Sequence, residues 1–201
     1  MQISDFQEGD VFIDTNFFYH YLRPPSQYMD QIIAFFQRIE VGRIHGFTSV
    51  GVFDELAYRR LLLYIKDQYG GNPFDLLRQQ RQAMLQEFYP NVQEDLLAVR
   101  SFPNLETLPM TVIDLSQVID DLTSVMLLPR DALHLAVMRN HGISCIATDD
   151  RDFDGVEGIE RVWLYNPPLR KPMMVMIQRM NCRTGRGRLH ESNHRVQQKG
   201  S

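Results

Sequence analysis

Short apolar runs that end in acids or turn residues alternate along this chain with longer stretches of helical spacing. Residues 10–14 (DVFID) form an apolar run closed by an acid and predict a buried strand. Over 28–41, the residues Ile32, Ile33, Phe35, Phe36 and Ile39 recur at helical spacing, and Gly42 closes the segment. Residues 45–48 predict a second strand, after which Ser49 stands at the N-cap of a helix over 50–67 that Gly70 and Gly71 end. Residues 73–100 predict further helix, with Gln and Arg on its polar side. A strand over 108–114, helices over 115–126 and 130–141, a strand over 143–148 (ISCIAT) and a fifth over 161–165 (RVWLY) complete the pattern. Such alternation predicts an α/β fold with a mostly parallel sheet and helices on both faces. No internal repeat interrupts it.

Composition narrows the class. The chain has 201 residues, 44% of them hydrophobic, enough to bury a full core. No run of about 18 uncharged apolar residues exists, which argues against a membrane span. The opening residues carry acids and no apolar stretch, so they do not read as a secretory signal, and the cytoplasm is the expected compartment. Cys145 and Cys182 are too few and too ill-spaced for a disulfide framework or a Cys-based zinc site.

Charge is divided unevenly. Residues 1–169 hold 13 Lys and Arg against 24 Asp and Glu, whereas residues 170–201 hold 8 against 1. The acidic body opposes unaided binding to nucleic acid, whose affinity rests largely on neutralised phosphates. Metal ions among the acids, or the basic tail, would offset it. After Pro167 and Pro168 the stretch RKPMMVMIQRM reads as a short strand or helix, and the Gly, Arg and Gln-rich remainder reads as disordered. The predicted organisation is a body over 1–168, with a helical insertion at about 65–105, and a basic extension over 169–201.

Four acids stand out, each with two readings. Asp14 ends the first predicted strand, at the carboxyl edge where open α/β sheets bind ligands, but it equally suits the cap of the next helix. Glu55 sits on the border of the stripe Val52, Leu56 and Leu63, as a site acid or a solvated helix edge. Asp131 shares a helical phase with Leu135 and Met138, so it points inward, or it complements the helix dipole just after Pro129. The run TDDRDFD offers Asp149, Asp150, Asp152 and Asp154, most of them turn residues, with one free to serve the strand end. His134 reads as a hydrogen-bonded packing residue rather than a ligand. If the four acids converge, two carboxylates about 5 Å apart repel by about 3 kcal/mol at an effective dielectric near 20. Such a cluster calls for a cation, and oxygen donors suit Mg2+ or Mn2+ better than zinc.

The motifs FIDTN (residues 12–16), SVGVFDEL (49–56), PRDALHLA (129–136) and IATDDRDF (146–153), in that order, resemble the motif set of PIN domains, most of all the VapC-like toxin ribonucleases. The resemblance covers about residues 10–166. It implies a PIN-like three-layer sandwich and a metal site made of Asp14, Glu55, Asp131 and Asp150, with the hydroxyls of Thr15 and Thr148 behind it. It further implies metal-dependent hydrolysis of RNA, with Arg59, Arg130 or Arg151 steadying a phosphate, a small antitoxin protein as partner, and a homodimer. Asp149 beside Asp150 leaves the fourth acid open, and the long interval between Glu55 and Asp131, the basic extension and DNA cleavage by a related branch leave the toxin role open.

The sequence carries two rival readings. HESNH, His190 to His194, spells the metalloprotease motif, but its flanks lack the apolar residues of a buried helix and it reads as chance. A PIN scaffold that binds RNA or a partner protein without catalysis is the alternative to a nuclease.

Overall fold

The strand β1 (Gly9–Ile13) is buried on both sides through Val11, Phe12 and Ile13, as an inner strand of a parallel sheet must be. The computed structural model describes residues 1–23 and 26–165. Beyond β1 the order is α1 (Thr15–Tyr21), α2 (Met29–Glu40), β2 (Ile44–Ser49), α3 (Val50–Tyr69), α4 (Pro73–Gln79), α5 (Arg81–Arg100), β3 (Leu105–Leu108), α6 (Val112–Asp121), α7 (Pro129–Asn140), β4 (Cys145–Ala147), a short 3-10 turn η1 (Arg151–Gly155) and β5 (Glu160–Val162). All neighbouring strands pair in parallel in the order β3-β2-β1-β4-β5. This is the expected α/β sandwich.

The strand order fixes where a ligand can sit. From β1 the chain moves outward through β2 to β3, then returns to place β4 on the other side of β1. Right-handed crossovers therefore put the helices of the two halves on opposite faces, and the crevice opens at the carboxyl ends of β1 and β4. Phe12 on β1 meets the ring of His134 on α7 at 5.6 Å, which seats α7 against the sheet. Phe17, Phe35 and Phe36 pack edge to face where α1 and α2 meet.

Local chemistry starts and stops the helices that carry acids. Ser49 Oγ accepts the Val52 amide and caps α3 as expected. Pro129 occupies the first turn of α7. Gly42 has a φ of +73° after α2, a conformation that a residue with a side chain adopts at a cost.

The segment 108–126 departs from expectation. β3 lies earlier, at Leu105–Leu108, and residues 112–114 open α6 instead of ending a strand. Pro109 stops the strand, and Thr111 and Asp114 form a reciprocal capping box. Val112 and Ile113, whose β-branched side chains suggested a strand, are exposed at 78% and 70%. The helix expected over 73–100 is two helices, α4 and α5, separated at Gln80. α5 packs on α3 through a small core of its own, with Leu61, Ile65, Met84, Phe88 and Val92, in which buried Arg60 is held by Asp95 at 2.6 Å and Tyr64 at 2.7 Å. Residues 1–6, to which the sequence pattern assigns nothing, extend the sheet edge: Gln2 bridges Trp163, and the Ile3 amide donates to the Trp163 carbonyl at 2.9 Å.

No helix among the described residues is long and apolar enough to cross a membrane. The basic extension over 169–201, including HESNH, lies outside the described residues.

Candidate functional site

Asp14 follows β1 directly, and its backbone amide donates to the Ala147 carbonyl of β4 at 3.1 Å, so it sits at the crevice between the two strands. Its carboxylate is held by three neighbours. Oδ1 accepts the Thr15 amide at 2.6 Å, and Oδ2 accepts Asn16 Nδ2 at 2.9 Å and the Thr148 hydroxyl at 2.7 Å. Asp14 is therefore both the cap of α1 and a carboxylate of the sheet edge; the two readings describe one side chain. Burial pushes its carboxyl above the ordinary value, opposed by the Thr148 hydroxyl and by His134.

Thr148 is the hub of this edge. Its hydroxyl donates to Asp14 and accepts from Asn16 Nδ2 at 2.9 Å and from the Asp150 amide at 3.1 Å. The Thr15 hydroxyl, expected to play a similar part, is buried without a partner among the described residues; its backbone amide serves Asp14 instead.

Glu55 enters from the second turn of α3. Arg59 approaches one of its oxygens at 3.5 Å and Arg130 the other at 3.3 Å. Two of the three arginines proposed for phosphate contact thus flank this carboxylate, whereas Arg151 lies exposed on η1. Asp131, in the first turn of α7, is half-buried, and its carboxyl is pushed up to about 6. Burial is the main cause, followed by the negative charges of Asp150, Asp14 and Glu55. The charges of Asp150, Asp14 and Glu55 therefore reach Asp131.

Asp149 and Asp150 are engaged differently. Asp149 is engaged away from the cluster: Oδ1 accepts the Leu164 amide at 3.2 Å, and Oδ2 lies 3.6 Å from His20 Nε2. Asp150 bears on Asp131, and one of its oxygens caps η1 by accepting the Asp152 amide at 2.9 Å.

His134 was expected to be a hydrogen-bonded packing residue, and half of that is corrected. It is 1% exposed and packs on Phe12, but neither ring nitrogen has a hydrogen-bond partner among the described residues. One of its nitrogens, a carboxylate oxygen of Asp14 and one of Glu55 all lie within 4.8 Å of one another. Burial lowers its pKa, and the nearby charges of Asp14 and Glu55 oppose that. The signal was available in the spacing: His134 follows Asp131 by three positions, hence shares its helix face.

These residues fit a divalent cation. The donors are carboxylate oxygens with one imidazole nitrogen, a buried ring is left unpartnered among the described residues, and Asp131 feels several like charges although Arg59 and Arg130 flank Glu55. Fold and site together define an α/β protein with an acidic metal-type crevice at its topological switch point. The PIN domain family model matches residues 11–159, and the chain belongs to that family, one of nucleases. Among solved structures, it is similar to VapBC2 from Rickettsia felis bound to a DNA fragment from their promoter, with 12% identity, 77% of this chain and 98% of that chain covered, and a TM-score of 0.52. It is also similar to Mycobacterium tuberculosis VapC20, a Sarcin-Ricin loop cleaving toxin, with 16% identity, 72% and 92% covered, and a TM-score of 0.48. A toxin-antitoxin complex from Klebsiella pneumoniae matches at 14% identity, 75% and 95% covered, and a TM-score of 0.43. No curated protein matches the chain.

Proposed function

We propose that the protein is a cytoplasmic, divalent-metal-dependent endoribonuclease in which Asp14, Glu55, Asp131 and Asp150 hold Mg2+ or Mn2+ and hydrolyse RNA phosphodiester bonds. The observation that carries this reading is the convergence of Asp14, Glu55 and His134 within 4.8 Å at the sheet edge, with Asp131 responding to the same charges.

A cation bound there supplies Lewis acidity at the phosphate and favours ionisation of water. The chain's own residues do the rest. Thr148, Thr15 and Asn16 fix the Asp14 carboxylate by donating to it, so it accepts a cation with little reorganisation. Arg59 and Arg130 bring positive charge beside Glu55, where it neutralises phosphate oxygens of an approaching strand. Asp131 is proton-bearing near and below pH 6, so the site gains affinity for cations as that proton leaves.

The narrower form of the proposal is the toxin of a toxin-antitoxin pair, homodimeric, with a small antitoxin protein covering the crevice. It draws on the motif resemblance and on the fold shared with Rickettsia felis VapBC2.

The test is cleavage of labelled structured RNA by wild type and Asp14→Asn, with Mn2+ and with EDTA, at matched circular dichroism. Cleavage lost in both EDTA and the mutant supports the reading. A folded wild type that binds Mn2+ yet cuts no RNA, structured or single-stranded, refutes it and leaves the non-catalytic scaffold.

A further inference from the structure

Beside the acidic crevice lies a second cavity of about 680 Å³, between η1, the end of β5 and the entrance to α2. Its volume falls within the range of small-ligand pockets. Tyr28, Trp163 and Tyr165 supply aromatic walls, and Asp149, Arg151 and Arg161 supply polar ones. The cavity adjoins the cluster through the chain itself, because Asp149 and Arg151 flank Asp150.

Its polar groups are not equivalent. Arg161 is committed: it grips both oxygens of Asp154, at 2.7 and 3.0 Å, donates to the Thr148 carbonyl at 3.3 Å, and lies 5.9 Å from the centre of the Trp163 ring. It therefore stiffens the wall and spends its charge locally. Arg151 is exposed and makes no ion pair among the described residues, so it is the cation free to meet an anion. Asp149 is held in place by the Leu164 amide at 3.2 Å, and among the described residues its second oxygen has only His20, 3.6 Å away and itself edge-on to Tyr28 at 5.2 Å. An ionised carboxylate is an acceptor with about four lone-pair sites, so this one keeps capacity for donors that enter the cavity.

Aromatic faces, an acceptor and a free guanidinium are the ingredients for holding one unstacked base and its phosphate. Single-stranded nucleic acid is bound by stacking bases on aromatic side chains beside cationic groups, and specificity comes from hydrogen bonds to base edges. An acidic body cannot rely on a broad basic surface, which puts more of the recognition on a pocket of this kind. Among the bases, guanine alone offers adjacent imino and amino donors to one carboxylate; cytosine and adenine offer an amine, and uracil an imino group between two carbonyls.

We propose that this cavity is a base-recognition subsite, resting on the ribonuclease reading, that accepts a guanine next to the scissile phosphate. The base stacks against Trp163 and Tyr165, Asp149 accepts its imino and amino protons, and Arg151 meets the adjoining phosphate.

Trp163 is the single tryptophan of the chain, so its emission reports on this wall alone. The full chain is titrated in EDTA, where no cutting occurs, with guanosine-containing and then uridine-only trinucleotides, absorbance being corrected with free tryptophan analogue. The expected result is saturable quenching with the guanosine ligand bound about tenfold more tightly than the uridine one. Asp149→Asn, which keeps the acceptor for the Leu164 amide, removes that preference, and the exposed Arg151→Ala weakens both ligands about equally. Emission that stays unchanged with either ligand to millimolar concentration overturns the proposal, as does a guanosine preference untouched by Asp149→Asn. The outcomes separate from those of the nuclease reading: metal-dependent cleavage with unresponsive emission sinks the subsite alone, whereas base-selective quenching without cleavage supports the subsite and counts against the nuclease.

Discussion

Asp131→Asn should stabilise the metal-free protein while weakening its hold on a cation. The side chain keeps its size and loses its charge, so the repulsion from Asp150, Asp14 and Glu55 disappears. Raising a carboxyl from 3.8 to about 6 corresponds to about 3 kcal/mol of differential interaction. Asp131 is only half-buried, and water screens part of that, leaving about 1–2 kcal/mol. The sign follows from linkage. Because the folded protein binds this proton more tightly than the unfolded chain, the wild type is penalised above pH 6 and relieved as the pH falls toward 4. Urea denaturation in EDTA should therefore place Asp131→Asn above wild type at pH 7.5 and bring the two together only as the pH falls below the ordinary carboxylate value of 3.8, with unchanged m-values. Saturating Mn2+ should reverse the order at pH 7.5, since ligand at about 100 times its dissociation constant adds about 2.7 kcal/mol to whichever protein binds it. A variant less stable than wild type in EDTA at pH 7.5, or equally stabilised by Mn2+, would show that the acids do not share one electrostatic site.

Three further outcomes follow from the same geometry. Thr148→Val keeps the volume but removes the hydroxyl that donates to Asp14, so stability should fall by about 1–2 kcal/mol and the acid limb of the cleavage profile should move to higher pH, with Thr148→Ser restoring both. Asp114→Ala should cost about 2–4 kcal/mol in urea denaturation, because this buried carboxylate accepts the Thr111 amide and hydroxyl and Asn140 Nδ2 and so ties α6 to α7. Burial alone would raise the Asp114 carboxyl, but those hydrogen bonds outweigh it and hold it low, so the stability it contributes is present at neutral pH and should fade as the pH falls below the ordinary carboxylate value. His134→Leu fills the same space against Phe12 and should lower Mn2+ affinity about tenfold, with a smaller effect on Mg2+, as nitrogen suits the softer ion; equilibrium dialysis checks it.

The strands were legible where burial on both faces forced apolar runs, as at Val11 to Ile13 and Ile146 to Ala147. The acids were legible through position: Asp14 at a strand end, Glu55 one turn into a capped helix, Asp131 in phase with Leu135. Around 108–114 the same logic failed. Leu108, Val112 and Ile113 resemble a strand by composition, and only the reciprocal bonding of Thr111 with Asp114 decides for helix. A threonine three residues before an acid is common outside helices, so the pattern alone does not carry the decision.

His134 departs from expectation in its hydrogen bonding and not in its packing. Composition favours packing for a lone histidine between Leu133 and Leu135, and the ring does pack, on Phe12. What the linear pattern cannot express is that α3 brings Glu55, and β1 brings Asp14, to the same few ångströms. A buried ring with both nitrogens unpartnered among the described residues breaks the rule that buried polar atoms are satisfied, and Asp131 departs from the ordinary carboxylate by keeping its proton up to about pH 6. In a chain whose helix caps and strand burial otherwise agree with its sequence, two such violations at one sheet edge are the mark of a site arranged for something other than stability. One cation would answer both, by offering the ring a bond and the carboxylates a counter-charge. That is why the stability of Asp131→Asn and the cation preference of His134→Leu should change as parts of one site.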